Sequence, residues 1–143
     1  GIQGRALGPS KVKYITIMLE EDVPKIYGLD EINKTKPVYV TEGPFDSHFV
    51  TNAIAMCGSD ANLSTIDYQF VYVYDNEPRN KEIAAKIDAS IQRGDKVVIW
   101  PSNINDKDIN DMVLSGLNVQ SVIELNTYSG IEAKLKFNIW KKI

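Results

Sequence analysis

Residues 38–47 read VYVTEGPFDS, and this stretch decides how the rest of the chain is interpreted. Its first part, Val38–Thr41, is apolar and β-branched, which is typical of a buried strand. The strand runs directly into Glu42 and Gly43, and a second carboxylate, Asp46, follows four residues after the first. We therefore predict a buried strand that ends on an acidic turn, where the glycine lets a ligand approach the backbone closely.

Apolar strands and helices alternate along the remainder of the chain. The predicted segments are, in order, a strand or hairpin arm over 11–19, strand 38–41, helix 44–50, strand 53–57, strand 70–75, helix 79–92, strand 96–100, and helices near 109–114 and 129–137. The helix over 79–92 has Ile83, Ile87 and Ile91 on one face and Gly94 just past its end. This alternation predicts an α/β fold with a mainly parallel sheet and helices on both faces, preceded by a short β-containing segment.

Composition limits the class of protein. The 143 residues suffice for one compact core, and no apolar run reaches the length needed to cross a bilayer, so we expect no membrane association. The single Cys57 and the single His48 exclude a four-ligand Cys/His zinc site within this sequence and favour a reducing, cytoplasmic setting. The net charge of -3 argues against a generic nucleic-acid surface, although Arg5, Lys11 and Lys13 make the first nineteen residues basic. A start on Gly-Ile-Gln suggests a fragment of a longer protein.

Acidic residues follow three of the predicted strands. Glu42 follows the first, Asp75 closes the second, and Asp106 and Asp108 come shortly after the third. The carboxyl ends of parallel strands meet at one edge of a sheet, which is where ligands bind in open α/β folds. Carboxylates that lie a few Å apart repel one another unless a cation sits among them. The pattern therefore predicts a site for Mg²⁺ or Mn²⁺, which prefer oxygen ligands.

Each of these acids also has an ordinary structural interpretation. Asp75, taken alone, could form a turn or cap a helix, and the segment NDKDIND at 105–111 could be a solvated loop that caps the next helix. Glu42 is harder to explain in this way, because glutamate is not a favoured turn residue and Gly43 follows it. The metal site is predicted by the combination rather than by any single residue.

Together, these acidic segments resemble a known family. VYVTEGPFDS, FVYVYDNE at 70–77 and NDKDINDMV at 105–113 are similar, in order and spacing, to the three motif blocks of the Toprim domain. This metal-binding module is shared by bacterial-type primases and topoisomerases. The first block resembles the family pattern E-G-x-x-D, which implies site roles for Glu42, Gly43 and Asp46.

The second and third blocks carry the remaining implied ligands. The second resembles D-x-D at Asp75 and Glu77, with glutamate where aspartate is usual. The third resembles K-D-x-[DN] and places Asp108 and Asn110 at the paired positions, whereas a shifted register would choose Asp106 and Asp108. The sequence leaves both registers open.

The flanking segments resemble the bacterial-type DNA primases, in the branch of T-even-like tailed phages. The similar segments are IQGRALGPSKVKYIT at 2–16, NAIAMCGSD at 52–60 and LNTYSGIEAKLKFNIWKKI at 125–143. The first implies a basic patch in which Arg5, Lys13 and Tyr14, with Gly43 and Asn110 nearby, contact nucleotide or DNA. The resemblance implies three parts: 1–36 as the tail of a primase polymerase subdomain, 37–116 as the Toprim domain, and 117–143 as a helical extension.

The resemblance implies metal-dependent synthesis of short RNA primers on a single-stranded DNA template. Glu42, Asp75 and Glu77 would be catalytic. The implied ligands of Mg²⁺ or Mn²⁺ are Glu42, Asp46, Asp75, Glu77, Asp106 and Asp108. The implied partners are template DNA, ribonucleoside triphosphates and a replicative helicase, in the host cytoplasm. The alternatives are a Toprim-type nuclease and a non-catalytic metal-binding or nucleic-acid-binding fragment. A topoisomerase would need a tyrosine-bearing domain, which this sequence lacks.

Overall fold

Five strands form one sheet in the computed structural model, which describes residues 1–12, 14–57, 63 and 66–143. The strands of the described ranges are β1 (Ile2–Arg5), β2 (Tyr14–Ile17), β3 (Val38–Thr41), β4 (Ala53–Ala55), β5 (Phe70–Val73), β6 (Lys96–Val98) and β7 (Thr127–Tyr128). The helices there are α1 (Pro44–Ser47), α2 (Lys81–Arg93), α3 (Ile109–Leu114), α4 (Val119–Leu125) and α5 (Gly130–Trp140), with a 3-10 turn at Leu29–Glu31.

The sheet has the order β4-β3-β5-β6-β7 and is mainly parallel. Strands β4, β3, β5 and β6 pair in parallel, and only β7 runs antiparallel to its neighbour β6. The strands β1 and β2 form a separate antiparallel pair. The predicted α/β fold, with a mainly parallel sheet flanked by helices and a short β segment before it, is confirmed.

Side chains alternate between two hydrophobic clusters because successive residues of a strand face opposite sides of a sheet. Val71 and Val73 of β5 lie in the larger cluster, whereas Val38 and Val40 of β3 lie in the smaller one with Ile54. The larger cluster also contains buried residues from four helices, including Ile87, Met112, Ile123 and Phe137. The sheet is therefore covered by apolar residues on both faces.

Helix α2 matches its prediction closely, and its ends have clear physical causes. The side chain of Asn80 accepts hydrogen bonds from the backbone N–H groups of Glu82 and Ile83, so the helix begins after Asn80 rather than at residue 79. Gly94 has φ of 85°, a left-handed conformation that glycine adopts without strain, and it ends the helix.

Other segments differ from their predictions. Helix α1 ends at Ser47 instead of near Val50, because Phe49 and Val50 bond to the carbonyls three residues before them in a tighter turn. The strands predicted over 70–75 and 96–100 pair for shorter stretches, as β5 and β6. Helix α4 and strand β7 were not predicted.

The two ends of the chain contribute differently to the structure. The predicted strand over 11–19 is observed at Tyr14–Ile17, and Lys13 lies outside the described residues. Residues after 117 add β7 to the sheet and share the larger core, while the predicted boundaries at 36 and 116 stay predictions.

In the described part of the chain, no helix combines the length and apolar character that a membrane span requires.

A buried asparagine joins the loops that leave the sheet. The backbone N–H of Asn76 donates to the Lys107 carbonyl at 2.6 Å, and its side-chain nitrogen donates to the carbonyls of Ile104 and Asp106, each at 3.0 Å. Its side-chain oxygen accepts a hydrogen bond from Trp140 Nε1 at 3.0 Å. This residue therefore ties the loop after β5 to the loop after β6 and to the end of α5.

We expect Asn76→Ala to lower the free energy of unfolding by about 3 kcal/mol, because buried carbonyl and indole groups would lose their partners. Asn76→Asp should be at least as damaging, since a carboxylate cannot donate to two carbonyls. Chemical denaturation monitored by tryptophan fluorescence measures the free energy of unfolding of both variants. The exposed Asn103 provides the control, and Asn103→Ala should change stability by less than about 0.5 kcal/mol. Equal effects of the two alanine substitutions would contradict the role of Asn76.

Candidate active site

Four predicted acidic side chains interact electrostatically at the carboxyl-terminal edge of the sheet. Glu42 follows β3, Asp46 lies in α1, Asp75 follows β5, and Asp108 precedes α3. Burial raises the pKa of Asp75 to about 7, and the negative charges of the other three carboxylates add to this rise, whereas Lys107 opposes it. The fold thus brings together acids that lie far apart in the chain.

Asp46 links α1 to α3, and its surroundings disfavour the ionised form of its carboxyl group. Burial raises its pKa to about 6; the backbone N–H of Asn110, 3.1 Å from Oδ1, opposes this rise, and the charges of Asp108 and Glu42 reinforce it. A Cβ atom on Gly43 would lie 3.3 Å from Asp46 Oδ2, so glycine leaves room for this carboxylate. Asn110 therefore reaches the site through its backbone.

Lys86 of α2 is a basic residue of this site that the sequence did not reveal. Its Nζ lies 2.7 Å from Glu42 Oε1 and 3.4 Å from Glu82 Oε1. Burial lowers the pKa of Lys86, but the hydrogen bonds and charges of Glu42 and Glu82 outweigh burial, so the pKa is raised overall. Only the Glu82–Lys86 spacing on the helix was visible in the sequence; the contact with Glu42 spans 44 positions.

Glu77 is held in a separate ion pair. Lys107 Nζ lies 2.7 Å from Glu77 Oε1, and the side-chain nitrogen of Asn80 donates to Oε2 at 2.6 Å. These two contacts lower the pKa of Glu77, with the hydrogen bond from Asn80 as the largest cause. Its predicted roles as ligand and catalytic residue stay predictions.

The two candidate residues of the third acidic segment have different surroundings. Asp108 Oδ1 accepts the backbone N–H of Asp111 at 2.8 Å and caps α3, while its charge acts on both Asp46 and Asp75. Asp106 Oδ1 instead accepts a hydrogen bond from the Ser115 hydroxyl at 2.8 Å. Asp108 belongs to both registers, so the choice between Asn110 and Asp106 as its partner stays a prediction.

Arg5 contacts Tyr14 and an aromatic residue that was not predicted, Phe45. The Arg5 Cζ atom is 5.5 Å from the centroid of the Tyr14 ring and 5.3 Å from that of Phe45. The Arg5 charge also opposes the rise in the pKa of Asp46 that burial causes. The hairpin therefore contacts the acidic edge, whereas Lys13, predicted for the same patch, lies outside the described residues.

The carboxylate oxygens of this site are the ligands that a hard cation prefers, although the side chains do not surround a position for one. Within residues 1–12, 14–57, 63 and 66–143, no three His, Cys, Asp or Glu side chains converge closely enough to hold a metal ion. Mg²⁺ commonly uses only one or two carboxylates, with waters and substrate phosphates completing its shell. Burial first, and then the charges of neighbouring carboxylates, raise the pKa values of Asp46 and Asp75, and a bound divalent cation would favour their ionised forms. The Mg²⁺ or Mn²⁺ site stays a prediction.

Without metal, we expect stability to fall as pH rises from about 4 to about 7. Asp46 and Asp75 have pKa values raised to about 6 and about 7 from 3.8, so the folded state binds more protons than the unfolded state in this range. Melting in EDTA at pH 5 and pH 8 measures the effect. Asp75→Asn should raise the melting temperature at pH 8 by about 4 °C or more. The difference in melting temperature between pH 5 and pH 8 should therefore be smaller in this variant than in the parent.

The control for this prediction is Asp88→Asn, which changes an aspartate of α2 that accepts a hydrogen bond from Gln92. It should leave the difference in melting temperature between pH 5 and pH 8 unchanged. If the Asp75→Asn variant also keeps the parent's difference in melting temperature between pH 5 and pH 8, the result would contradict the electrostatic repulsion described for this site.

The chain is similar to a known protein over nearly its whole length. It is 36% identical, over 149 aligned positions, to the DNA primase of Enterobacteria phage T4. The match covers 99% of this chain and 43% of that primase, so the chain spans less than half the length of this curated relative. No family model matches the chain. By this similarity, the chain is related to a part of a DNA primase.

Proposed function

We propose that this chain is the metal-dependent catalytic part of a Toprim-type DNA primase, which joins ribonucleotides into short RNA primers on single-stranded DNA. The observation that carries the proposal is the electrostatic coupling of Asp75 to Glu42, Asp46 and Asp108 at one edge of the sheet. The similarity to a phage DNA primase supports it. Phosphoryl transfer depends mainly on positioning and on neutralisation of charge, which are the tasks such an edge can perform.

One or two of the carboxylates of Asp75, Asp108 and Asp46 would hold Mg²⁺ or Mn²⁺, with waters and substrate phosphates completing its shell. The bound cation would supply charge neutralisation on the triphosphate and polarisation of its phosphorus–oxygen bonds. The chain itself supplies the geometry: Asn76 holds the loop that carries Asp75 against the loop that carries Asp108, and the Asn110 N–H orients Asp46. The carboxylates are thereby positioned before substrate arrives.

In the proposed reaction, the 3′-hydroxyl oxygen of the primer attacks the α-phosphorus of a ribonucleoside triphosphate. A new phosphorus–oxygen bond forms, the bond to the leaving oxygen breaks, and pyrophosphate departs with the electron pair of that bond. Glu42, whose Oε1 lies 2.7 Å from Lys86 Nζ, would accept the hydroxyl proton or contribute to cation binding. Lys107 and Arg5 would contact phosphates of the nucleotide or the template.

The proposal extends to partners and location. Single-stranded DNA is the template, ribonucleoside triphosphates are the substrates, and a replicative helicase would deliver the template in the host cytoplasm. Roles for Glu77 and Asp106 as ligands form part of the same proposal. Their present contacts with Lys107 and Ser115 would have to open for them to bind a cation.

We expect Asp75→Asn to weaken Mn²⁺ binding by about tenfold or more, because it removes a charged oxygen ligand from the acidic edge. Titration of the full chain with Mn²⁺, followed by electron paramagnetic resonance of the free ion, measures the affinity. Asp88→Asn serves as the matched control and should bind Mn²⁺ as the parent protein does. Unchanged Mn²⁺ binding by Asp75→Asn would contradict the proposed metal site.

Activity assays distinguish the proposed function from its alternatives. The chain is incubated with Mg²⁺ and single-stranded DNA, with or without ribonucleoside triphosphates, and the products are separated by length. New RNA chains that require the triphosphates and disappear in Asp75→Asn support the primase. Metal-dependent cleavage without triphosphates would identify a nuclease instead. Metal binding without either reaction would identify a fragment that is not catalytic by itself.

A further inference from the structure

An exposed aromatic cluster borders the acidic edge, and we name its three residues, Arg5, Tyr14 and Phe45, the aromatic platform. Arg5 and Tyr14 are opposite each other on β1 and β2, whereas Phe45 lies in the first turn of α1. The guanidinium carbon lies 5.5 Å and 5.3 Å from the two ring centroids, so it contacts both rings. The three side chains therefore form a preassembled surface of planar groups.

Large parts of both rings remain accessible to solvent. Phe45 is 54% exposed and Tyr14 is 47% exposed, although each contacts Arg5. If these contacts served only to attach the hairpin to α1, burial of the rings would strengthen that attachment. The exposure of both rings instead leaves planar apolar surface available to a ligand that is itself flat.

The position of the platform identifies the chemistry of that ligand. Phe45 lies between Glu42 and Asp46 in sequence, and the charge of Arg5 acts on Asp46. A ligand on the rings would thus lie next to the acidic edge with a cation beside it. Unpaired nucleobases stack on aromatic and guanidinium planes, and their phosphates are attracted to arginine.

We propose that the aromatic platform binds an unpaired nucleobase, which stacks on Phe45 while Arg5 contacts the adjoining phosphate. This inference rests on the proposed function, because it identifies how the substrate of that reaction is positioned. The base can come from the template strand or from an incoming ribonucleoside triphosphate. Phe45 is a positioning residue in both cases, since it contacts the base and not the reacting phosphorus.

The first experiment compares the full chain with its Phe45→Ala variant. Fluorescence anisotropy measures their affinity for oligo(dT) of about 12 nucleotides and for an abasic oligonucleotide of the same length. If the template base stacks on the ring, Phe45→Ala should bind oligo(dT) about tenfold more weakly and should bind the abasic strand as the parent does. Phe45→Trp should retain the affinity for oligo(dT), because it keeps an aromatic face.

Phe49→Ala is the matched control, because Phe49 is another exposed aromatic residue of the same segment, at 42% exposure. It should bind both oligonucleotides as the parent does. The second experiment titrates Phe45→Trp with ATP and follows quenching of tryptophan fluorescence, using the parent chain and a Phe49→Trp variant to correct for other tryptophans. Quenching specific to position 45 identifies the triphosphate as the source of the base.

The outcomes separate this inference from the proposed function. Loss of oligo(dT) affinity, or quenching specific to position 45, supports the platform and assigns its ligand. The platform is overturned if Phe45→Ala binds oligo(dT) normally and no such quenching occurs, or if the variant loses oligo(dT) and abasic binding equally. Base-dependent binding would support the platform even where Asp75→Asn leaves Mn²⁺ binding unchanged and so contradicts the primase mechanism.

Discussion

Mutual repulsion among partly buried carboxylates is the constraint on which the rest of this structure depends. Asp75 lies within the electrostatic reach of Glu42, Asp46 and Asp108, and burial further disfavours its ionised form. Such carboxylates take up protons or move apart unless a cation or structural connections stabilise the group. The parallel sheet supplies the first of these connections, because β3, β5 and β6 deliver their carboxyl ends to the same edge. The pairing of the strands in the sheet therefore holds these carboxylates together against their repulsion.

The remaining connections are neutral hydrogen bonds and two lysines at the edges of the site. Asn76 uses its backbone N–H and both side-chain polar atoms to join the loops after β5 and β6 to α5, and the Asn110 N–H bonds to Asp46. Lys86 pairs with Glu42 and Glu82, and Lys107 pairs with Glu77, so the lysines compensate glutamates. Asp46 and Asp75 form no such ion pair in the described part of the chain. The uncompensated charge is therefore concentrated on the aspartates, where a divalent cation would have the largest effect.

Sequence reasoning succeeded where a structural feature has a repeating local pattern. The isoleucines of α2 recur every four residues, and the strand at Val38–Thr41 is rich in β-branched residues, so both were predictable. The strand β7 has two residues and no detectable period, and its antiparallel pairing with β6 depends on tertiary packing. In the site, the positions of Glu42 and Asp75 after strands were predictable. Asn76 and Lys86 were not, because their contacts join residues that are distant in sequence.

Glu77 forms contacts that its spacing from Asp75 does not predict. The D-x-D resemblance places it two residues after Asp75, yet its carboxylate contacts Lys107 and Asn80. The loop turns between these two residues, because the Glu77 N–H donates to the Asp75 carbonyl at 3.0 Å, so the alternation of an extended strand does not apply to their side chains. Glu77 and Lys107 thus join the loops after β5 and β6 at the surface, as Asn76 does in the interior, and the glutamate can contribute to the site by holding Lys107 near Asp75 and Asp108.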